Sequence, residues 1–250
     1  MTVKFPSNHD RLAVIGRTGS GKTQAAAWHL SGKHFFPNKL GQPYQPWVIV
    51  NTKGDPLLNE IASIPGVKQL DLDDTPGNEG LYIVSPLPDQ GVELDAFFGR
   101  IWEKQDIGVY IDEGYMIDIT DKMNALLTQG RSRNIPMIIL SQRPSWISKF
   151  VFSEADFYQL FHLQNEDDRK NIAKSIPFDT KYRLPRFHSY WYNAGDNEIV
   201  QFAPVPSRDA ILESFRQAFP PAASPDDEIP ASDQLPPGNP EALPARRKVV

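Results

Sequence analysis

The chain has 250 residues, 40% of them apolar, no cysteine and a formal net charge of -5. That composition supports one large or two small globular domains, and the missing cysteine excludes disulfides and thiolate metal sites. No apolar run approaches the roughly 20 residues of a membrane span, residues 1–10 lack the apolar stretch of a secretory signal, and the acidic total disfavours a protein that coats nucleic acid.

A soluble intracellular protein is therefore expected, touching DNA only through a local patch or an assembled channel. In chain order, residues 11–15 form a short apolar run ending in glycine, and residues 22–30 read as a helix. The β-branched run WVIVN at 47–51 reads as a strand, as does LYIVS at 81–85, followed by a helix around 93–104. Residues 107–111 form a strand that ends in acids. A helix over 121–129 puts Met123, Leu126 and Leu127 on one face. Residues 137–140 are a fully apolar strand entered through Pro136, where a missing N–H is tolerated. A further strand over 158–163 precedes a helix over 166–175. Continuous apolar strands indicate burial on both faces of a parallel sheet. Near the end, 188–192 and 198–202 flank Asn193-Ala194-Gly195-Asp196-Asn197, a hairpin signal. From Phe219 the text turns to Pro, Ala, Ser and acids and ends in Arg246, Arg247 and Lys248. Such a segment buries too little surface to offset its ordering entropy. The organisation read here is a domain over 1–217 and a disordered Pro-rich tail over 218–250, with no internal repeat.

Gly16-Arg17-Thr18-Gly19-Ser20-Gly21-Lys22-Thr23 matches G-x-x-x-x-G-K-[ST] at every fixed position, with a strand before it and a helix after it. The glycines let the backbone curl so that its N–H groups face phosphate oxygens, and the helix N-terminus adds partial positive charge. ATP is the expected ligand. Lys22 is expected on its β- and γ-phosphates, and Thr23 on Mg²⁺. The strand at 107–111 then delivers two acids: Asp112, beside the phosphate loop, for the Mg²⁺ shell, and Glu113 to orient or deprotonate the attacking water. A glutamate that activates water argues for hydrolysis rather than transfer to a substrate hydroxyl. The next strand ends Leu140-Ser141-Gln142, which places Gln142 at the ligand edge of the sheet, within reach of the γ-phosphate or the water.

The stretch RSRNIPMIILSQRPS at 131–145 resembles the R-x-x-G-I-x-x-I-x-x-T-Q-R-P-S pattern of the FtsK/HerA-type DNA-translocating ATPases. Together with the phosphate loop and the acid pair, the resemblance spans most of 11–164. It implies a three-layer α/β P-loop NTPase with a central, mostly parallel sheet, here followed by a C-terminal hairpin and the tail. It implies a ring, commonly a hexamer, that pumps duplex DNA through its centre without regard to sequence. It also implies that Arg131, with Arg133 in reserve, reaches the neighbouring subunit's nucleotide. Asn134 stands where the family often has glycine, and asparagine tolerates a left-handed turn. The phosphate loop begins at residue 16, and this compact plan is similar to the viral genome-packaging ATPases of the superfamily. That plan implies a phage motor in the host cytoplasm or on the virion, with a capsid or vertex protein as a further partner. A phage-assembly ATPase of the zonula-occludens-toxin type and a nucleotide-dependent partner-recruiting switch are the rival readings. Arg143, Lys149 and the loop Lys53-Gly54-Asp55 are the cations expected to face DNA.

Overall fold

The computed structural model describes residues 3–34, 45–118 and 120–221. Its elements run β1 (Arg11–Ile15), α1 (Lys22–His34), β2 (Trp47–Asn51), α2 (Pro56–Ala62), β3 (Lys68–Gln69), β4 (Leu81–Val84), α3 (Gly91–Lys104), β5 (Gly108–Asp112), α4 (Asp121–Gln129), β6 (Met137–Ser141), α5 (Lys149–Ser153), β7 (Phe157–Leu160), α6 (Glu166–Ile172), β8 (Ser189–Asn193), β9 (Glu198–Phe202) and α7 (Arg208–Ala218). All strands join one nine-stranded sheet in the order β3-β4-β2-β5-β6-β1-β7-β8-β9. The first seven pair in parallel, and β8 and β9 continue antiparallel as the expected hairpin.

The strands are apolar on both faces because both faces are covered. Along β1, Ala13 and Ile15 enter one apolar cluster, whereas Leu12 and Val14 enter the other. The first cluster holds Phe97, Phe98 and Ile101 of α3, Leu126 and Leu127 of α4, and Phe152 of α5. The second holds Ala26 and Leu30 of α1, Leu58 and Ile61 of α2, and Ile211 and Phe215 of α7. The period-two alternation of the strands thus builds a three-layer sandwich, α1, α2 and α7 on one side and α3 to α6 on the other.

Helix starts follow local chemistry. Asp55 accepts from Leu57 N ahead of Pro56 at the first helical position of α2, and Thr120 accepts from Met123 N ahead of α4. Ser207 caps α7 in the same way through Ala210 N. Helix α7 carries the ordered chain through Ala218, and Phe219 beyond it is buried. The tail expected over 218–250 thus overlaps the end of α7 and the buried Phe219, and its residues 222–250 lie outside the described residues.

Strand β5 is not a direct neighbour of β1, because β6 lies between them. Parallel pairing nevertheless brings the carboxyl ends of β1, β6 and β5 to one edge, with β6 in the middle.

Candidate active site

The phosphate loop leaves β1 at Gly16, whose N–H donates to Ser141 O of β6 at 3.1 Å. A Cβ at position 16 would stand 2.6 Å from Ser20 Oγ and 2.7 Å from Phe161 Cβ, so the tight curl admits no side chain there. Gly21 takes φ +95°, a left-handed conformation that glycine adopts without cost. Arg17, Thr18 and Gly19 are exposed at the tip, whereas Lys22 is buried at the start of α1 with Thr23 beside it. The cleft over the loop is also lined by Asp112, Glu113, Lys53, Asp55 and Arg208.

Glu113 sits immediately after β5 with φ +53°, ψ +59°. A left-handed glutamate is held at a cost of order 1–3 kcal/mol. The following Gly114 admits no Cβ, since Ile139 Cγ2 would lie 2.8 Å away. The turn aims the Glu113 carboxylate, 1% exposed, back into the site. Its Oε1 lies 2.6 Å from Lys22 Nζ and 3.9 Å from Lys53 Nζ. Its Oε2 accepts from Gln142 N at 3.1 Å. The carboxamide of Gln142 is held on both sides: Oε1 accepts from Thr18 Oγ1, and Nε2 donates to Tyr115 OH at 2.5 Å.

Asp112 is as buried as its neighbour but differently placed. Its Oδ1 has no hydrogen-bond partner among the described residues. Its carboxyl is pushed up to about 7, by burial first and then by the charges of Glu113 and Asp55, with Lys22 and Lys53 pulling the other way. Such a group is relieved by a cation brought to it.

The structure thus brings together Lys22, Thr18, Thr23, Asp112, Glu113 and Gln142. It does not bring Arg131 to them. Arg131 lies in the short turn before β6, at the opposite end of a five-residue strand, roughly 17 Å from the loop edge. There its Nη2 donates to Asp156 Oδ1 and Oδ2 at 2.7 and 2.8 Å. Arg133 stacks on Trp102, 4.1 Å from the ring centre. Asn134 takes the left-handed conformation, φ +55°, as its residue type allows. Three residues that the motifs did not mark also reach the site. Lys53, read from sequence as a DNA-facing cation, lines the cleft over the phosphate loop. Arg208 comes from α7, and Tyr115 reaches Gln142 from two residues past Glu113; neither carries a sequence signal of that role.

No family model matches the chain. A curated relative, the DNA packaging ATPase P9 of Enterobacteria phage PRD1, is 44% identical over 227 residues, covering 86% of this chain and 96% of the relative. This chain belongs to the phage DNA packaging ATPase family. The family assignment accords with the fold found among solved structures. The genome packaging NTPase B204 of Sulfolobus turreted icosahedral virus 2, in complex with ATP-gammaS, superposes with a TM-score of 0.60 at 17% identity, covering 80% of this chain and all of B204. ATPase domains 2 and 3 of EssC from Geobacillus thermodenitrificans superpose with a TM-score of 0.56 at 12% identity, covering 84% of this chain and 44% of that one.

Proposed function

We propose that this chain hydrolyses ATP to drive duplex DNA into a phage particle. The observation that carries the catalytic part is the 2.6 Å approach of the phosphate-loop lysine, Lys22, to Glu113, a buried carboxylate fixed on a left-handed turn. The packaging part rests on the 44% identity to a DNA packaging ATPase over nearly its whole length.

In this reading the loop N–H groups and Lys22 hold the triphosphate, and a γ-phosphate competes with Glu113 for the Lys22 ammonium. Released from that pair, Glu113 accepts a proton from the attacking water, while Gln142 orients the water or the γ-phosphate. Thr23 and the unpartnered Asp112 Oδ1 would hold Mg²⁺, which would supply positive charge against that developing on the phosphates. Arg131 acts on the next subunit of a ring, a hexamer by resemblance, with a capsid or vertex protein as the dock in the host cytoplasm or on the virion. No helix of the described residues is long and apolar enough to cross a membrane.

The test is ATPase rate against random duplex concentration at low and moderate salt, with protein concentrated enough to assemble. Stimulation that weakens steeply with salt and ignores sequence is expected. A flat response at every condition overturns the translocase reading in favour of a nucleotide-dependent switch.

A further inference from the structure

An aromatic pair ties the catalytic glutamine to the protein surface. Tyr115 OH accepts from Gln142 Nε2 at 2.5 Å, and the Tyr115 ring meets Trp146 edge-on with centroids 6.0 Å apart. Trp146 is 63% exposed, although large aromatics are seldom left in water. It sits on the turn that follows Gln142, closed by Trp146 N donating to Arg143 O at 2.9 Å. Two further contacts make that turn a built feature. Ser145 donates from N and Oγ to the buried Asp168 Oδ1 at 3.1 and 2.7 Å, and Arg143 Nε pairs with Asp168 Oδ2 at 3.2 Å. The Arg143 guanidinium then stacks 3.9 Å over the Trp146 ring, with exposed Lys149 three residues further along the chain.

We propose that the Arg143–Trp146 plate is a contact for the duplex backbone, and that Tyr115 is the positioning residue through which this contact sets Gln142. The inference rests on the translocase reading. A flat indole bearing a stacked cation suits a sugar–phosphate surface: the guanidinium meets phosphate and the ring meets deoxyribose, with no base edge read. The Gln142 carboxamide spends its acceptor on Thr18 and one donor on Tyr115. A shift of Tyr115 therefore re-aims the carboxamide relative to the γ-phosphate or the water, and Trp146 is the neighbour through which an outside contact can shift it. DNA binding and hydrolysis become linked through one hydroxyl.

The test uses the full chain and random duplex DNA. Of the five tryptophans, Trp47 and Trp191 are buried and Trp28 and Trp102 half-buried, so acrylamide quenching reports chiefly on Trp146. Duplex should lower that quenching. Tyr115→Phe, which keeps the ring, should still show this protection yet lose about fivefold or more of the DNA-stimulated kcat, with KM for ATP held. Trp146→Ala should bind duplex more weakly by filter retention and lose the stimulation, and Trp146→Phe should recover part of the stimulation. Full stimulation in Tyr115→Phe and Trp146→Ala, or quenching unchanged at saturating duplex, overturns the proposal while leaving the translocase reading intact. A wild-type rate that ignores DNA overturns that reading itself.

Discussion

Adjacent carboxylates at the end of β5 have different partners. Glu113 pairs with Lys22 and a backbone N–H, whereas Asp112 keeps an oxygen with no hydrogen-bond partner among the described residues. Glu113→Gln keeps the shape and removes the base, so it should bind ATP yet lose about 100-fold or more in turnover; equilibrium nucleotide binding beside a steady-state assay checks this, and wild-type turnover would refute the role. Lys22→Ala should abolish tight ATP binding and also strand the buried Glu113 charge, costing about 3–5 kcal/mol. Adding Glu113→Gln to Lys22→Ala should then raise the melting temperature, which a purely surface pair would not do. Asp112 carries a pH signature. Its folded value near 7 lies above the ordinary carboxyl value near 4, so between the two the folded chain binds the extra proton and stability falls as pH rises. Asp112→Asn should therefore be more stable than wild type at pH 8, by about 1–4 kcal/mol, with the difference gone near pH 4. Equal melting temperatures at pH 8 would contradict that. Phosphate-loop residues and both acids were legible in sequence because curl and buried-strand ends demand fixed residue types at fixed spacing. Tyr115 and Arg208 were not, because a tyrosine or arginine in a loop has no periodicity to betray it.

At the scale of elements, the strands other than the two-residue, exposed β3 were readable and several helices were not, for one physical reason. Strands buried on both faces leave unbroken apolar runs, as in the five fully buried residues of β2, β5 and β6. Helices α2 and α5 have seven and five residues, too short to show a 3.6-residue period, and they exist because Asp55 and Ser148 cap them onto the sheet. Helix α7 buries Ile211, Leu212 and Phe215 among charges, an amphipathic stripe close to the change in composition that drew attention to the tail. The resting place of β5 depends on a close approach. A Cβ on Gly108 would lie 2.1 to 2.5 Å from the Trp47 indole of β2, and Trp47 is fully buried. Gly108→Ala should thus destabilise by about 1–3 kcal/mol or more. Pairing it with Trp47→Phe, which withdraws part of the obstacle, should cost less than the two single changes added together. Additive melting shifts would show that the indole is not what Gly108 makes room for.

For the whole molecule, the decisive fact is that the phosphate loop and Arg131 occupy opposite edges of one sheet. An arginine there serves a nucleotide only if the amino edge of one subunit meets the carboxyl edge of the next. Such a contact is heterologous, and heterologous contacts close into rings when the rotation permits. Arg131 is half-exposed and pairs with Asp156, itself held by Arg11 N at 2.9 Å. An exposed pair of this kind contributes about 0–1 kcal/mol, so a neighbour's phosphates can draw the guanidinium away at small cost. Hydrolysis should then rise more than linearly with protein concentration as shared sites form. Arg131→Ala and Lys22→Ala should each be nearly inactive alone, for different reasons. Mixed in equal amounts and allowed to exchange, they should regain activity, because about a quarter of randomly formed interfaces join an intact Lys22 to an intact Arg131. Recovery should grow with total concentration and vanish on dilution below assembly. A specific activity independent of concentration, together with no recovery on mixing, would make Arg131 a structural partner of Asp156 and remove the physical case for a shared site.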